Sequence, residues 1–475
     1  MNWDTVIGLE VHAQLRTKSK LFSGSAITFG TAPNSQTSFI DAGLPGVLPV
    51  LNQQAIVMAI QFGLAVNAQI NDLSYFERKN YFYPDLPKGY QISQFQRPIV
   101  GKGHLDIWLD DQVKRIEIER AHLEEDAGKS IHDAHTNYTG IDLNRAGTPL
   151  LEIVTTPCMH SAEEAISYLK ALHQLVRFLG ICDGNMQEGS FRCDVNISLK
   201  PAGSTKLGTR TELKNLNSFR FIEKAIVYEQ ARHQELLESG QAVMQETRQF
   251  CPATETTLFL RSKENEHDYR YFPDPDLLPI AISMEQINLI KKSMPVLPAE
   301  IKSQLEKAEL PTDDISFLLS TPATYRFFEQ VHAQSDADVK TICNWLKGIY
   351  ARALNDNNLT FDNPTVPAAE LALLLNYVAK KTISNSIARQ IFHKLWEKEG
   401  SVDEIIEREG YLAATNDNEL ESLIDDLIKQ YPQQAQDYRN GKEKLMAFFV
   451  GQVMKQTKGQ ANPELVNDLL KKLLA

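Results

Sequence analysis

The chain has 475 residues, of which 43% are hydrophobic and 23% charged, with a formal net charge of −12. That length exceeds what one hydrophobic core usually organises, so two or three domains are expected, and no apolar run is long enough to cross a bilayer. The acidic balance excludes a protein that coats nucleic acid indiscriminately, because neutralising phosphate takes Lys and Arg.

Residues 1–15 lack the basic flank, continuous apolar stretch and cleavage site of a secretory signal, so a cytoplasmic location is expected. They read as a strand instead. From Val6 to Leu15 side chains alternate faces, so Glu10, His12 and Gln14 project together while Val11, Ala13 and Leu15 face a core. An acid and an imidazole so placed can share one ion, although a solvated polar stripe alternates in the same way. Between Arg78 and Tyr90, aromatics, Pro84, Pro87 and two lysines argue against any regular strand or helix. Ordered loops of that composition line something. Lys79 and Lys88 either neutralise phosphate or a developing acyl phosphate, or are ordinary surface lysines.

A strand from Ile116 to Glu124 places Arg120, His122 and Glu124 on one face and ends in three acids, Glu124, Glu125 and Asp126. Adjacent carboxylates repel unless a cation lies between them. Hard divalent ions such as magnesium take oxygen ligands and bridge nucleotide phosphates, which makes this run a metal edge or else an exposed acidic turn. Gly128-Lys129-Ser130 copies the end of a phosphate-binding P-loop, but Leu123 stands where the motif needs glycine, and a P-loop is rejected.

Ser161 and Glu164 form a capping box that opens a helix, in which Ile166, Leu169, Leu172, Val176 and Leu179 keep helical spacing until Gly180. Phe191 to Leu199 puts Arg192, Asp194 and Asn196 on one face, and Gly208 to Leu213 and beyond does so with Arg210, Glu212 and Lys214. The intervening Pro201 to Ser204 makes the pair a hairpin. In one antiparallel sheet these polar faces would form a single concave surface of carboxylates, imidazole and cations, a mix that favours a functional site over a solvated face. A second helix runs from about Ser218 to Ser239. Composition shifts at Met294 to Pro298, and everything beyond reads as helix. Its last part is polarised: Glu407 to Asp437 holds two basic residues against eight acids, whereas Arg439 to Ala475 holds seven against three, which suggests a cationic C-terminal face. The five cysteines form no C-x-x-C pair and read as reduced, mostly buried thiols.

The stretches Ile7 to His12, Arg78 to Asp85, His122 to Lys129, Asp142 to Val154, Glu188 to Asp194, Lys214 to Ser218 and Asp268 to Asp276 resemble, in order, the signatures of the B subunits of tRNA-dependent amidotransferases. The tail, Asn440 to Lys444 and Val450 to Pro463, is similar to that family's C-terminal end, so the resemblance covers nearly the whole chain.

The resemblance implies an α+β fold: a mainly antiparallel cradle, similar to glutamine synthetase and the guanido kinases, over residues 1–293, a helical domain over 294–405 and a helical tail over 406–475, with a YqeY-like, tRNA-binding region over about 328–475. It implies a heterotrimer in which an amidase-type partner releases ammonia from glutamine and a small third partner binds the other two. Within it, ATP and magnesium serve to phosphorylate the side-chain carboxylate of misacylated Glu-tRNA(Gln) or Asp-tRNA(Asn), which ammonia then converts to the amide. Carried over by motif, Glu10, His12, Glu125 and Glu152 resemble a magnesium site, and Glu124, Asp194 and Glu212 a second, nucleotide-linked metal cluster. Arg192 and Lys214 join the nucleotide side, while Lys79 and Lys88 look like residues of the active centre and the mouth of an ammonia channel. Lys442, Lys444, Lys455 and Lys458 are the expected tRNA contacts.

Many members carry two cysteine pairs, a zinc knuckle, where this chain has Ser23, Ser25, Ser38 and Asp41. Without thiolates no structural zinc is expected, and Gly, Pro and backbone bonding are expected to hold that loop. Two other readings compete: a non-catalytic tRNA-binding adaptor, which should present a basic and aromatic face rather than clustered carboxylates, and a free-standing ligase of glutamine synthetase type, which leaves the helical C-terminus without a role.

Overall fold

Strict alternation builds the first strand, β1 (Trp3–Gln14): Ile7, Leu9, Val11 and Ala13 are fully buried, and the residues between them stay accessible on the other face from Glu10 onward. In the computed structural model, which describes residues 2–109, 112–132, 138–262, 269–411, 417–457, 461 and 463–474, this strand lies inside a large sheet. The other strands are β2 (Gly103–Leu109), β3 (Gln112–Glu125), β4 (Pro149–Thr155), β5 (Phe191–Pro201), β6 (Thr211–Lys214), β7 (Glu246–Cys251) and β8 (Thr256–Ser262). Their spatial order is β8-β7-β6-β5-β1-β4-β3-β2. Neighbours are antiparallel except β6 and β7, so the sheet is mixed. The parallel pair exists because a helix is interposed between those two strands, and parallel neighbours require such a crossover.

That helix, α2 (Phe219–Glu238), and α1 (Ala162–Phe178) cover the apolar face of the sheet, with Leu169, Leu172, Val176, Ile222 and Ile226 in the same core as Ile7, Val11 and Ile197. Both helices begin at the expected serines: the Ser161 hydroxyl accepts from the Glu164 N–H and Ser218 from Phe221. The reciprocal half of the box differs from expectation, since Glu164 accepts from the His160 N–H at 2.6 Å and pairs with Lys114 at 2.6 Å.

Strand β3 carries a register shift between Ile118 and Arg120. Without it Ile116 and Ile118, both core residues, would share a face with Arg120, His122 and Glu124. The extra residue switches the parity, so the same strand serves the core with Ile116, Ile118, Ala121 and Leu123 and the opposite face with the polar set. A smaller sheet joins Glu77–Asn80, Tyr90–Ser93 and Phe272–Pro273, so the irregular stretch expected from Arg78 onward is confined to residues 81–89. Lys129–His132 forms a strand with Thr139–Asp142, not the helix a P-loop would open.

The loop of Ser23, Ser25, Ser38 and Asp41 is held by side chains more than by the Gly, Pro and backbone bonding expected. Lys20 Nζ meets Asp41 Oδ2 at 3.0 Å, with the two side chains 0% and 3% exposed. Asp41 also accepts from Ser23 Oγ at 2.9 Å and from the Ser38 N–H at 2.7 Å, and Lys20 donates to the Leu143 carbonyl at 3.1 Å.

The chain divides into two compact units, Met1–Pro298 and Ala299–Ala475. Among its described residues the second unit is helical, including a π-helical turn at Trp345–Tyr350 that nothing in the sequence pattern announces. Its last helices, Asp417–Gln430, Pro432–Arg439, Leu445–Gln456 and Pro463–Leu474, share a core of Ile424, Leu427, Phe449, Val453, Val466 and Leu470. No helix among the described residues is long and apolar enough to cross a membrane.

Candidate active site

Strand register brings the polar residues of the sheet into rows. Across β3, β4, β1 and β5, His122, Glu152, His12 and Arg192 stand opposite one another, and one step along come Arg120, Val154, Glu10 and Asp194. A third row holds Gly8, Asn196 and Glu212. Of these, Glu10, His12, Arg120, His122, Glu152, Asp194 and Glu212, together with Lys79, Arg210, Lys214, Tyr269 and Tyr271, line a cavity of about 850 Å³.

Two groups of donors converge there. In His12, Glu124 and Glu152, and again in Glu10, Asp194 and Glu212, one ligand atom per residue lies within 4.8 Å of the others. His12 Nε2 is 3.6 Å from Glu124 Oε1 and 3.5 Å from Glu152 Oε2, and His122 Nε2 is 3.1 Å from Glu152 Oε2. Burial alone would lower the His122 pKa, but Glu152 and Glu124 overcome it and push it up to about 9. Glu152 is buried too, yet His122 and His12 hold its carboxyl well below the usual range. In the second group, burial raises the Glu10 pKa, with repulsion from Glu152, Asp194 and Glu212 adding to it. Lys214 bridges Asp194 and, at 3.4 Å, Glu212. Asn196 Nδ2 donates to Glu10 at 2.9 Å and Thr247 to Glu212 at 2.7 Å, fixing those carboxylates in place. Among the described residues, His122 Nδ1, Arg120 Nε and Asn196 Oδ1 are buried polar atoms without a partner.

The grouping expected from sequence is exchanged. Glu124, assigned to the nucleotide-linked cluster, sits with His12 and Glu152, while Glu10 sits with Asp194 and Glu212. Glu125 belongs to neither group. Successive strand residues face opposite ways, so Glu125 turns from the cavity to pair with Lys88 and accept from the Ile92 N–H at 2.9 Å. Neither Glu125 nor Lys88 lines the cavity. Asp126, third in the run, lies beyond the strand end, 2.9 Å from Arg192 Nη2 and 3.6 Å from Arg145. The run of three acids is therefore split three ways, Glu124 toward His12, Glu125 toward Lys88 and Asp126 toward Arg192 and Arg145.

Lys79 does reach the cavity, over the Tyr269 ring at 5.1 Å and the Tyr81 ring at 5.9 Å. Burial would lower its pKa, but Glu124, Tyr271 and Glu152 raise it, so it is cationic at neutral pH. It also lines a second cavity with Tyr81, Phe82, Tyr83, Tyr269 and Phe272. Tyr269 and Tyr271 carry no role in the sequence reading, although they sit in the stretch Asp268 to Asp276. The aromatics alternating there were the available signal; Asp268 itself lies outside the described residues. In the tail, Lys442, Lys444 and Lys455 are exposed, with Lys442 2.9 Å from Asp437; Lys458 lies outside the described residues.

A large sheet bearing paired acid clusters, followed by a helical unit, agrees with two family models: residues 5–288 match the GatB/GatE catalytic domain and residues 326–474 the GatB domain. The chain belongs to the GatB family. It is 66% identical over 476 residues, the whole of both chains, to the B subunit of the aspartyl/glutamyl-tRNA(Asn/Gln) amidotransferase of Legionella pneumophila, and 54% identical over 477 residues, again the whole of both, to the protein of that name from Coxiella burnetii.

Proposed function

We propose that this chain is the carboxylate-activating subunit of a cytoplasmic tRNA-dependent amidotransferase. Its substrate is misacylated Glu-tRNA(Gln) or Asp-tRNA(Asn). A side-chain oxygen takes the γ-phosphoryl group of ATP, ADP leaves, and ammonia from the amidase partner then displaces phosphate to give the amide. A carboxylate is a poor acyl donor until phosphorylated, and the transfer depends on charge compensation around the phosphoryl oxygens.

The observation that carries this reading is the pair of acid clusters in one cavity, bordered by Lys79, Arg120, Arg210 and Lys214. Their oxygen-rich donors, five carboxylates with His12 as the nitrogen, fit magnesium, which when bound supplies positive charge against the nucleotide phosphates. The residues themselves do the rest: Asn196 and Thr247 orient Glu10 and Glu212, Lys214 holds Asp194, and Lys79 offers a fixed cation to the acyl phosphate. A cradle like that of glutamine synthetase and the guanido kinases, and a division into 1–293, 294–405 and 406–475, belong to the same reading; the separate core of the last four helices supports the tail as its own domain. An RNA-docking adaptor accounts poorly for buried carboxylates that repel phosphate.

The test is the complex purified with its amidase and small partners and given ATP, magnesium, glutamine and each misacylated tRNA. Asp194→Ala is expected to lower amide formation and ATP consumption at least ~100-fold with folding intact, the scale for one preorganised electrostatic group. Glu125→Ala, which strips Lys88 and the Ile92 N–H of their partner, acts on stability instead. Full activity in Asp194→Ala would overturn the site.

A further inference from the structure

A second cavity, of about 1090 Å³, opens beside the reaction cavity and shares Lys79, Arg261 and Tyr269 with it. Its walls are aromatic, and Phe82, Tyr83 and Phe272 are 86%, 58% and 43% exposed, which no packing of a core requires. The rings also form a continuous series. Tyr83 meets Tyr81 edge to face at 6.2 Å, Tyr81 meets Tyr269 at 6.1 Å and Tyr269 meets Tyr271 at 6.1 Å, while Tyr271 stacks on Phe95 at 4.4 Å with the planes 11° apart. Tyr271 and Phe95 line the reaction cavity, so the series runs from one cavity into the other.

The backbone there is held in place. Arg270 lies in the left-handed region at φ 49°, a conformation that a residue with a long side chain adopts only where its surroundings enforce it. Asn80 does so: its N–H donates to the Tyr269 carbonyl at 3.0 Å, and its Nδ2 to the Tyr269 and Arg270 carbonyls at 3.1 and 3.0 Å. Backbone strain of this kind collects at sites that clamp a ligand.

Charge differs between the two cavities. The reaction cavity holds both acid clusters, whereas the aromatic one has Lys79, Arg261 and Arg270 against Asp85 alone, whose carboxylate accepts from Ser130 Oγ at 3.2 Å. Exposed rings flanked by arginines are the chemistry of a single-stranded nucleic-acid site, where a base lies on a π-face and cations meet the backbone. The substrate brings such a strand. Its amino acid is esterified to the ribose of the unpaired terminal adenosine of tRNA, so only the carbon chain of one amino acid separates that ribose from the reacting carboxylate. With the carboxylate at Lys79, the nucleoside has to occupy a space adjoining the reaction cavity. Two smaller hollows also adjoin it, one at Glu10, Thr155 and Arg210 and one at Asp194, Asn215 and Asn217, but among the described residues neither has an exposed aromatic ring.

We propose that the cavity of Tyr81, Phe82, Tyr83 and Phe272 is the docking site of the terminal adenosine of the misacylated tRNA, with the base on these rings and its phosphate at Arg261 and Arg270. The assignment rests on the function proposed above and adds to it the place where the ester is held. Stacking does not sense the amino acid, so glutamyl and aspartyl esters dock alike, and the cavity fixes where the ribose sits rather than which acid reacts.

The probe is 3′-deoxy-3′-(glutamylamino)adenosine, whose amide link resists hydrolysis, titrated by equilibrium dialysis into the complex purified with its amidase and small partners. Wild type should bind it, and it should inhibit amide formation in competition with Glu-tRNA(Gln) but not with ATP. Phe82→Ala and Phe272→Ala should each weaken its binding at least ~5-fold, the scale for losing one ring under a base, and Phe272→Trp should restore it. ATP binding and melting temperature should be unchanged in Phe82→Ala, because that ring is exposed. Competition with ATP would make the cavity the nucleotide's own site and overturn the proposal. So would the absence of saturable binding to wild type, or wild-type affinity in both alanine variants. Variants that lose glutamine-dependent amide formation while ammonium chloride sustains it at the wild-type rate would assign the rings to ammonia delivery and overturn it as well. A wild-type complex that makes no amide from any misacylated tRNA would refute the reaction, while the dialysis alone judges the docking site.

Discussion

Removing Asp41 isolates the cost of one buried charge. In Asp41→Ala the Lys20 ammonium keeps only the Leu143 carbonyl at 3.1 Å, inside a site where its side chain is 0% exposed, and Ser23 Oγ and the Ser38 N–H lose their acceptor. Breaking a buried pair by deleting one partner costs about 3–5 kcal/mol. Burial already lowers the Lys20 pKa despite Asp41, so part of that cost can be met by deprotonation, and about 3 kcal/mol is expected. Lys20→Met/Asp41→Leu, which removes both charges and keeps volume, should recover at least about 2 kcal/mol of it. Urea unfolding of the full chain, read in the transition of the N-terminal unit, compares wild type with both variants. Wild type should melt at the same temperature with and without a strong zinc chelator. A loss below about 1 kcal/mol in Asp41→Ala, or a chelator-induced drop in wild type, would refute the idea that this ion pair holds the loop.

Two further outcomes follow from charge placement. Glu229, fully buried, accepts from Arg232 and Thr257 and pairs with Arg248; burial opposes its ionisation, but these partners and His233 hold its pKa at about 2 against an ordinary 4.5. A depressed carboxyl stabilises the fold above its unfolded pKa and loses that contribution as pH falls through the folded one, here about 3 kcal/mol between about pH 4.5 and about pH 2. Glu229→Gln should lose it at neutral pH and flatten the acid limb of the stability curve. In the tail, the combined change of exposed Lys442, Lys444 and Lys455 to Ala should weaken tRNA binding by the complex and reduce the slope of log K against log salt by about 2; an unchanged slope would remove those lysines from the RNA contact.

Parity was legible in the sequence, and neighbourhood was not. Alternation assigned Glu10, His12, Asp194, Glu212 and Lys214 to polar faces, and the cavity holds all five. Which strand lies beside which is a matter of tertiary pairing, and the structure groups the acids differently from the expectation: His12 faces Glu152 across β4, drawing in Glu124, while Glu10 faces Asp194 across β5. The exclusion of Glu125 was readable, because it directly follows Glu124 on one strand. So was the shift in β3, where the apolar spacing of Ile116, Ile118, Ala121 and Leu123 runs two, three, two. The loss of thiols at positions 23, 25, 38 and 41 was plain from sequence, but a fully buried lysine reaching into that loop was not, since lysine is a surface residue by default.

The arrangement of charge separates catalysis from docking more sharply than any single residue does. Glu10, Glu152 and Asp194 come from β1, β4 and β5, Glu124 shares β3 with Arg120 and Glu212 shares β6 with Lys214, while Arg210 directly precedes β6 and Lys79 comes from the smaller sheet. Burial is the main cause of the raised Glu10 pKa and repulsion from Glu152, Asp194 and Glu212 adds to it, a local shortage of positive charge around these acids. A polyanion such as RNA cannot relieve that shortage, and a divalent cation can. The flanking cations are then left for what the divalent ion brings with it. Under the proposed function the acids would hold a metal–phosphate complex and Lys79, Arg120, Arg210 and Lys214 would compensate its phosphate charge.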